Sequence, residues 1–105
     1  MQPGPKEGLS LINGTHVMAT MAAHAVEQAK ILIRSADIIG AISLNGIRGS
    51  LRPFDKRIHK YKPHTGQEIV AENFRKIFST RDDVLDSHKD CQKVQDSYSF
   101  RCIPQ

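Results

Sequence analysis

The chain has 105 residues, of which 39% are hydrophobic and 25% charged, with a formal net charge of +4 at pH 7. These values fit one small domain, or part of a larger one, and read as an ordinary globular chain rather than a disordered one. The surplus of positive charge is compatible with nucleic acid without arguing for it. Cys91 and Cys102 form no CxxC pair, and the opening Met1-Gln2-Pro3-Gly4-Pro5 offers neither a basic nor an apolar leader region. The expectation is a cytoplasmic chain with reduced thiols.

No proline occurs from Lys6 to Arg52. Gly14-Thr15 has the character of a helix start, Thr15 offering a capping hydroxyl. From Val17 to Ile47 the apolar residues fall almost all round a helix: among them are Val17, Met21, Ala25, Leu32, Ile39 and Ile42. Such a helix belongs among other helices. The most apolar stretch, Ile31 to Leu44, is interrupted by Arg34 and Asp37. It falls short of the roughly 20 apolar residues a membrane span requires, so it is expected to be a buried helix, with no membrane partner. Some 30 helical residues would extend roughly 45 Å, against a radius of gyration of about 13 Å for a compact domain of 100 residues. Either the helix breaks near Ser35-Ala36-Asp37, or it belongs to a bundle of long helices supplied by more chain.

Leu51 to Pro63 is expected to be a basic loop between Pro53 and Pro63. Thr65-Gly66-Gln67-Glu68 fits a capping box, and the following helix carries Val70, Phe74, Ile77 and Phe78 on one stripe. Arg81 to Asp96 is polar and is assigned to a loop with a weak helical turn. The tail from Ser97 is short and mixed. Period-2 alternation is absent, so the fold class is all-α: a long central helix plus shorter helices.

Three segments then stand out in order. They are Lys6-Glu7-Gly8-Leu9-Ser10-Leu11-Ile12-Asn13-Gly14-Thr15; Phe54-Asp55-Lys56-Arg57-Ile58-His59 followed by Pro63-His64-Thr65-Gly66-Gln67; and Val94-Gln95-Asp96-Ser97-Tyr98-Ser99-Phe100-Arg101-Cys102-Ile103-Pro104-Gln105. Together they resemble the aromatic amino-acid ammonia-lyases, the methylidene-imidazolone enzymes, and most of all the branch acting on histidine. The resemblance covers nearly the whole chain. It implies elimination of ammonia from L-histidine to give trans-urocanate, with tyrosine or phenylalanine lyases, or an aminomutase, as alternatives within the same scaffold. Cys102 after Arg101 is more like the histidine and bacterial tyrosine enzymes than the plant phenylalanine enzymes.

By resemblance, Arg101 grips the substrate carboxylate, a task for which a guanidinium fork is suited and an ammonium is not. Tyr98 lies close to the reacting atoms, where its hydroxyl can move a proton. Gln95 hydrogen-bonds in the pocket, and Asn13 stands beside the electrophilic prosthetic group. Tyr98 and Asn13 are thus the catalytic candidates, Arg101 and Gln95 the substrate-binding ones, and Asn13 the cofactor-binding one. Taken alone, each has an ordinary reading: a surface arginine, a packing tyrosine, a turn asparagine. Gln95, Tyr98 and Arg101 are spaced by three residues, so a helix-like turn would bring them to one side. His59 and His64 fall inside the motifs with no chemical role, and a structural hydrogen bond is expected of them.

The family makes its methylidene-imidazolone from an Ala-Ser-Gly tripeptide, and these 105 residues contain no Ala-Ser-Gly. Family chains are also several-fold longer. Residues 1–105 are therefore expected to be one segment of the central helical region of a large helical-bundle lyase, not a complete domain, and inactive alone. The resemblance further implies a homotetramer in which Gln95, Tyr98 and Arg101 face a different subunit's pocket from Asn13.

Readings from other classes rest on less. Arg48, Arg52, Lys56, Arg57, Lys60 and Lys62 form a basic run that a nucleic-acid-binding helical module would use, but no reader motif accompanies it. His59 with His64, and His88 with Cys91, fall loosely within zinc-ligand spacing, but the first pair belongs to the motifs already described; no metal is expected. A helical interaction partner of a fuller lyase chain is the remaining non-enzymatic alternative.

Overall fold

A computed structural model describes residues 2–79, 86 and 88–105. The fold is all-α, with no strand among the described residues. Its helices are α1 (Glu7–Ile12), α2 (His16–Gly46), a 3-10 turn (Arg52–Phe54), α3 (Lys56–Tyr61), α4 (Thr65–Ser79) and α5 (Tyr98–Arg101). The chain divides into two compact units, Met1–Ile33 and Arg34–Gln105.

In the first unit α1 begins behind Lys6, whose backbone is left-handed with φ 68°. Glu7 accepts the Gly4 N–H at 2.6 Å, which ties the chain ahead of the helix to its first residue. The sequence reading did not separate this helix from the motif around it, since six residues are too few to show a period. α2 follows at His16, with the Thr15 carbonyl accepting the Ala19 N–H at 2.8 Å. The run is rich in alanine and free of proline, which favours a helix of this length. All described residues of the first unit are exposed, including Val17, Met18 and Met21.

α2 runs unbroken through Ser35-Ala36-Asp37 for 31 residues, about 46 Å at the helical rise. Of the two outcomes open in the sequence, continuity holds. The burial expected for Ile31 to Leu44 does not follow, because only Asp37, Ala41 and Leu44 of α2 are buried. Ile38, Ile39 and Ile42 remain exposed, since these 105 residues provide too little chain to surround the helix. None of the helices is long and apolar enough to cross a membrane, among the described residues.

The core lies in the second unit. Phe54, Phe74, Phe78, Leu44, Ala41 and Ala71 are buried there, with Phe100 and Ile103 packed against them. Phe54 and Phe74 stack with centroids 4.3 Å apart. Gly40 lets α4 come close to α2: a Cβ there would stand 3.0 Å from Phe74 Cζ. Next to this contact the Asn73 amide donates to the buried Asp37 carboxylate at 2.7 Å. The residue that seemed to interrupt the apolar run is thus a polar tie between two helices, and burial is tolerable because it is hydrogen-bonded.

α2 ends in a Schellman arrangement. The Gly49 N–H reaches Leu44 O at 2.8 Å and the Arg48 N–H reaches Asn45 O at 2.9 Å, with Arg48 left-handed at φ 54°. Gly49 is needed for space: a Cβ there would lie 2.3 Å from Leu44 Cδ1 and 3.1 Å from Leu44 O. Leu44 is only 1% exposed and has little room to turn aside. Gly49→Ala should therefore destabilise the second unit by about 1–3 kcal/mol, as overpacking does. A lower midpoint in a thermal melt followed by circular dichroism checks this; an unchanged melt would mean that Leu44 repacks freely.

The expected loop from Leu51 to Pro63 is a correction. It holds the 3-10 turn and α3, because Asp55 caps the helix by accepting the Arg57 N–H at 2.9 Å. The Arg57 guanidinium also binds that carboxylate, holding Asp55 well below the usual carboxylate range. His59 is buried, with Nε2 3.3 Å from Pro53 O, the structural role expected of it. α4 begins at Thr65, one residue earlier than the capping box required, and the His64 carbonyl accepts the Glu68 N–H at 3.0 Å. Of the expected stripe, Phe74 and Phe78 are buried and Val70 is partly so, while Ile77 stays 37% exposed and Ala71 takes a core place. Of the loop expected from Arg81 to Asp96, residues 81–85 and 87 lie outside the described residues, and residues 88–96 are turn and irregular chain, as expected.

Candidate functional site

Two of the four site candidates meet in a short helical turn. Ser97 stands before α5, and its carbonyl accepts the N–H groups of Phe100 and Arg101 at 3.1 and 3.0 Å. Tyr98 opens the turn and Arg101 closes it. The Arg101 guanidinium carbon sits over the Tyr98 ring, 4.4 Å from its centroid. A cation held over an aromatic face is stabilised by about 0.5–1 kcal/mol at exposed sites. Tyr98 is itself 73% exposed, so the ring orients the guanidinium while keeping its hydroxyl accessible. The Arg101 Nε is buried and has no hydrogen-bond partner among the described residues. A buried donor of this kind calls for an acceptor.

Gln95 precedes the turn and is exposed. It does not share the helix with Tyr98 and Arg101, so the convergence anticipated from the spacing is helical for two of the three. Gln95 and Arg101 do line one pocket, of about 460 Å³, with Arg48, Arg52, Lys93 and Asp96 among the other walls. Cations outnumber acids there, which raises the local concentration of anionic ligands. Asn13 belongs to the first unit as the C-cap of α1, its backbone N–H bonded to Leu9 O at 2.9 Å. Its side chain is exposed and makes no hydrogen bond among the described residues.

The sequence reading passed over Asp96. It is 9% exposed, and its Oδ2 accepts the Ser50 N–H at 2.6 Å across 46 positions of sequence. Its place inside the third motif, between Gln95 and Tyr98, was the available signal. Lys93 was likewise missed; its ammonium donates to Ile47 O at 2.5 Å. Among the described residues there is no group of three or more histidine, cysteine or acidic side chains placed to hold a metal. In the basic run Arg57 pairs with Asp55, while Arg48 and Arg52 line the pocket rather than a continuous outer stripe.

The profile for the aromatic amino acid lyases matches residues 1–105. The histidine ammonia-lyase of Sorangium cellulosum is 48% identical over 100 residues, covering 95% of this chain and 19% of its own length. That of Caenorhabditis elegans is 41% identical over 108 residues, covering 100% of this chain and 16% of its own. The human histidine ammonia-lyase is 42% identical over 104 residues, covering 96% and 16% respectively. The chain thus spans 16% to 19% of the length of these relatives. No solved structure matches it.

Proposed function

Because the chain belongs to the aromatic amino acid lyase family, we propose that it is a segment of the central helical region of an ammonia-lyase. The reaction is elimination of ammonia from L-histidine to give trans-urocanate, and the segment's part in it is to hold the carboxylate end of the substrate. The observation that carries this reading is Arg101, with its buried, unpartnered Nε and its guanidinium laid over Tyr98. The relatives' names, all histidine ammonia-lyases, support histidine as the substrate.

Each residue then has a task. Arg101 offers two parallel N–H donors to the two carboxylate oxygens, a charge-assisted pair that fixes position as well as binding. Gln95, on the wall of the same pocket, adds a neutral donor and acceptor. Tyr98 presents a hydroxyl that can hold or pass a proton at the substrate's β-carbon. Asn13 offers an amide not engaged by any described residue. Its donor and acceptor set fits the polar carbonyl and nitrogen atoms of a methylidene-imidazolone. When present, that group supplies the electrophile that makes the amine a leaving group. The Ala-Ser-Gly from which the family forms it is not among these 105 residues, so the reading places it elsewhere in the lyase. A cytoplasmic homotetramer is the assembly this reading entails.

The test is substrate preference in a full-length lyase carrying this segment. L-histidine should be turned over in preference to L-tyrosine and L-phenylalanine, with urocanate as product. Turnover of tyrosine or phenylalanine alone would move the assignment to the alternative enzymes, and isomerisation without ammonia release would make it an aminomutase.

A further inference from the structure

The turn that carries Tyr98 and Arg101 needs something to aim it. Its apolar side is settled by Phe100 and Ile103, which pack against the core. Packing of this kind sets depth and is non-directional. Orientation calls for a directional contact, and the strand of chain leading into the turn has two. Lys93 donates to Ile47 O, and Asp96 accepts from Ser50 N. Both bonds join residues 46 positions apart, so two side chains of residues 93–96 tie that segment to the backbone of residues 47–50.

The partner segment is well fixed. It is the Schellman end of α2, held by Gly49 to Leu44 and by Arg48 to Asn45. Asp96 is also, with Asp37 and His59, one of the buried polar or charged residues among the described residues. A carboxylate taking a backbone N–H at 2.6 Å forms a short, charge-assisted bond. The next residue, Ser97, supplies the carbonyl on which the helical turn is built. Asp96 is therefore the last firmly held point before Tyr98 and Arg101.

We propose that Asp96 is a positioning residue for the carboxylate end of the substrate site: by accepting the Ser50 N–H it fixes the start of the turn that carries Tyr98 and Arg101. The inference rests on the reading of Arg101 given above. It assigns Asp96 no proton transfer, since its carboxylate is engaged with backbone and buried. What Asp96 supplies is an acceptor at a fixed place, and its effect on the reaction passes through Arg101.

The experiment uses a full-length lyase carrying this segment, with Asp96→Asn, Asp96→Ala and Arg101→Ala compared. KM, kcat, the pH profile, the prosthetic-group absorbance and the melting midpoint are measured for each. Asp96→Asn keeps a neutral acceptor for the Ser50 N–H, so KM for the amino acid should rise only about two- to threefold, with the pH profile unchanged. Asp96→Ala should raise KM about tenfold, with kcat less affected and the absorbance retained. Three results would overturn the inference. One is a lowered midpoint in Asp96→Asn with KM and kcat both native, which makes the residue a matter of fold alone. Another is Asp96→Asn as impaired as Asp96→Ala with a displaced pH profile, which gives the carboxylate a direct part in proton transfer. The third is a native KM in Arg101→Ala, which removes the carboxylate reading and this inference with it. The Asn variant decides the matter even where the Ala variant does not fold.

Discussion

Arg101→Ala, in a full-length lyase carrying this segment, should lower kcat/KM by roughly 10- to 100-fold. A hydrogen bond to a charged partner contributes about 1.5–3 kcal/mol, and each 1.4 kcal/mol is tenfold in rate. The geometry behind the estimate is a guanidinium held over Tyr98 at 4.4 Å, with a buried Nε that has no partner among the described residues. On the proposed reading, removing the side chain takes the planar fork from the substrate carboxylate, in a pocket whose walls carry more cations than acids. Arg101→Lys keeps the charge and loses the fork and the ring contact, so it too should be clearly impaired, though less than alanine. Part of the loss should appear in kcat if the clamp also aligns the β-proton. The prosthetic-group absorbance should survive both changes. Near-native kcat/KM in Arg101→Lys would return the arginine to an ordinary ion-pairing role.

The second large effect is all-or-none. The 105-residue chain by itself should form no detectable urocanate, coumarate or cinnamate from histidine, tyrosine or phenylalanine. Its sequence has no Ala-Ser-Gly from which to make the electrophile. In the second unit, Tyr98 is 73% exposed and Gln95 is exposed as well, so both stand open to water. An open site cannot keep solvent from the reacting atoms, and it forfeits the electrostatic gain of a dry pocket. Enzymes supply rate accelerations of about a millionfold or more, and a site with neither electrophile nor enclosure should lose nearly all of that. Product formation by a clean preparation would refute this.

The long helix was legible because its signal is long. From His16 to Gly46 nothing breaks the helical pattern, and alanines recur throughout. The identity of its buried side was not legible, because a stripe that goes all the way round names no face. Asp37 illustrates the point: only the contact with Asn73, 36 residues away, turns an apparent interruption into a tie. α3 was hidden by the flanking Pro53 and Pro63 and by its basic residues, although Asp55 ahead of Lys56-Arg57 was a usable cap signal. The candidate site was legible only through motif resemblance. Spacing suggested that Gln95, Tyr98 and Arg101 converge; the structure puts Tyr98 and Arg101 in contact and Gln95 on the pocket wall with Arg101. Asp96 escaped notice because its partner, the Ser50 backbone, leaves no mark in a sequence.

The measurement that tests the central claim most directly is a segment exchange. These 105 residues replace the corresponding region of a histidine ammonia-lyase that shares 48% identity with them over 100 residues, and urocanate formation from L-histidine is followed. If the segment carries the carboxylate end of a histidine lyase site, the exchanged enzyme should form its prosthetic group and turn histidine over within about tenfold of the parent kcat/KM, about 1.4 kcal/mol in transition-state stabilisation. A folded exchanged enzyme with normal prosthetic-group absorbance and no turnover of histidine would contradict the account.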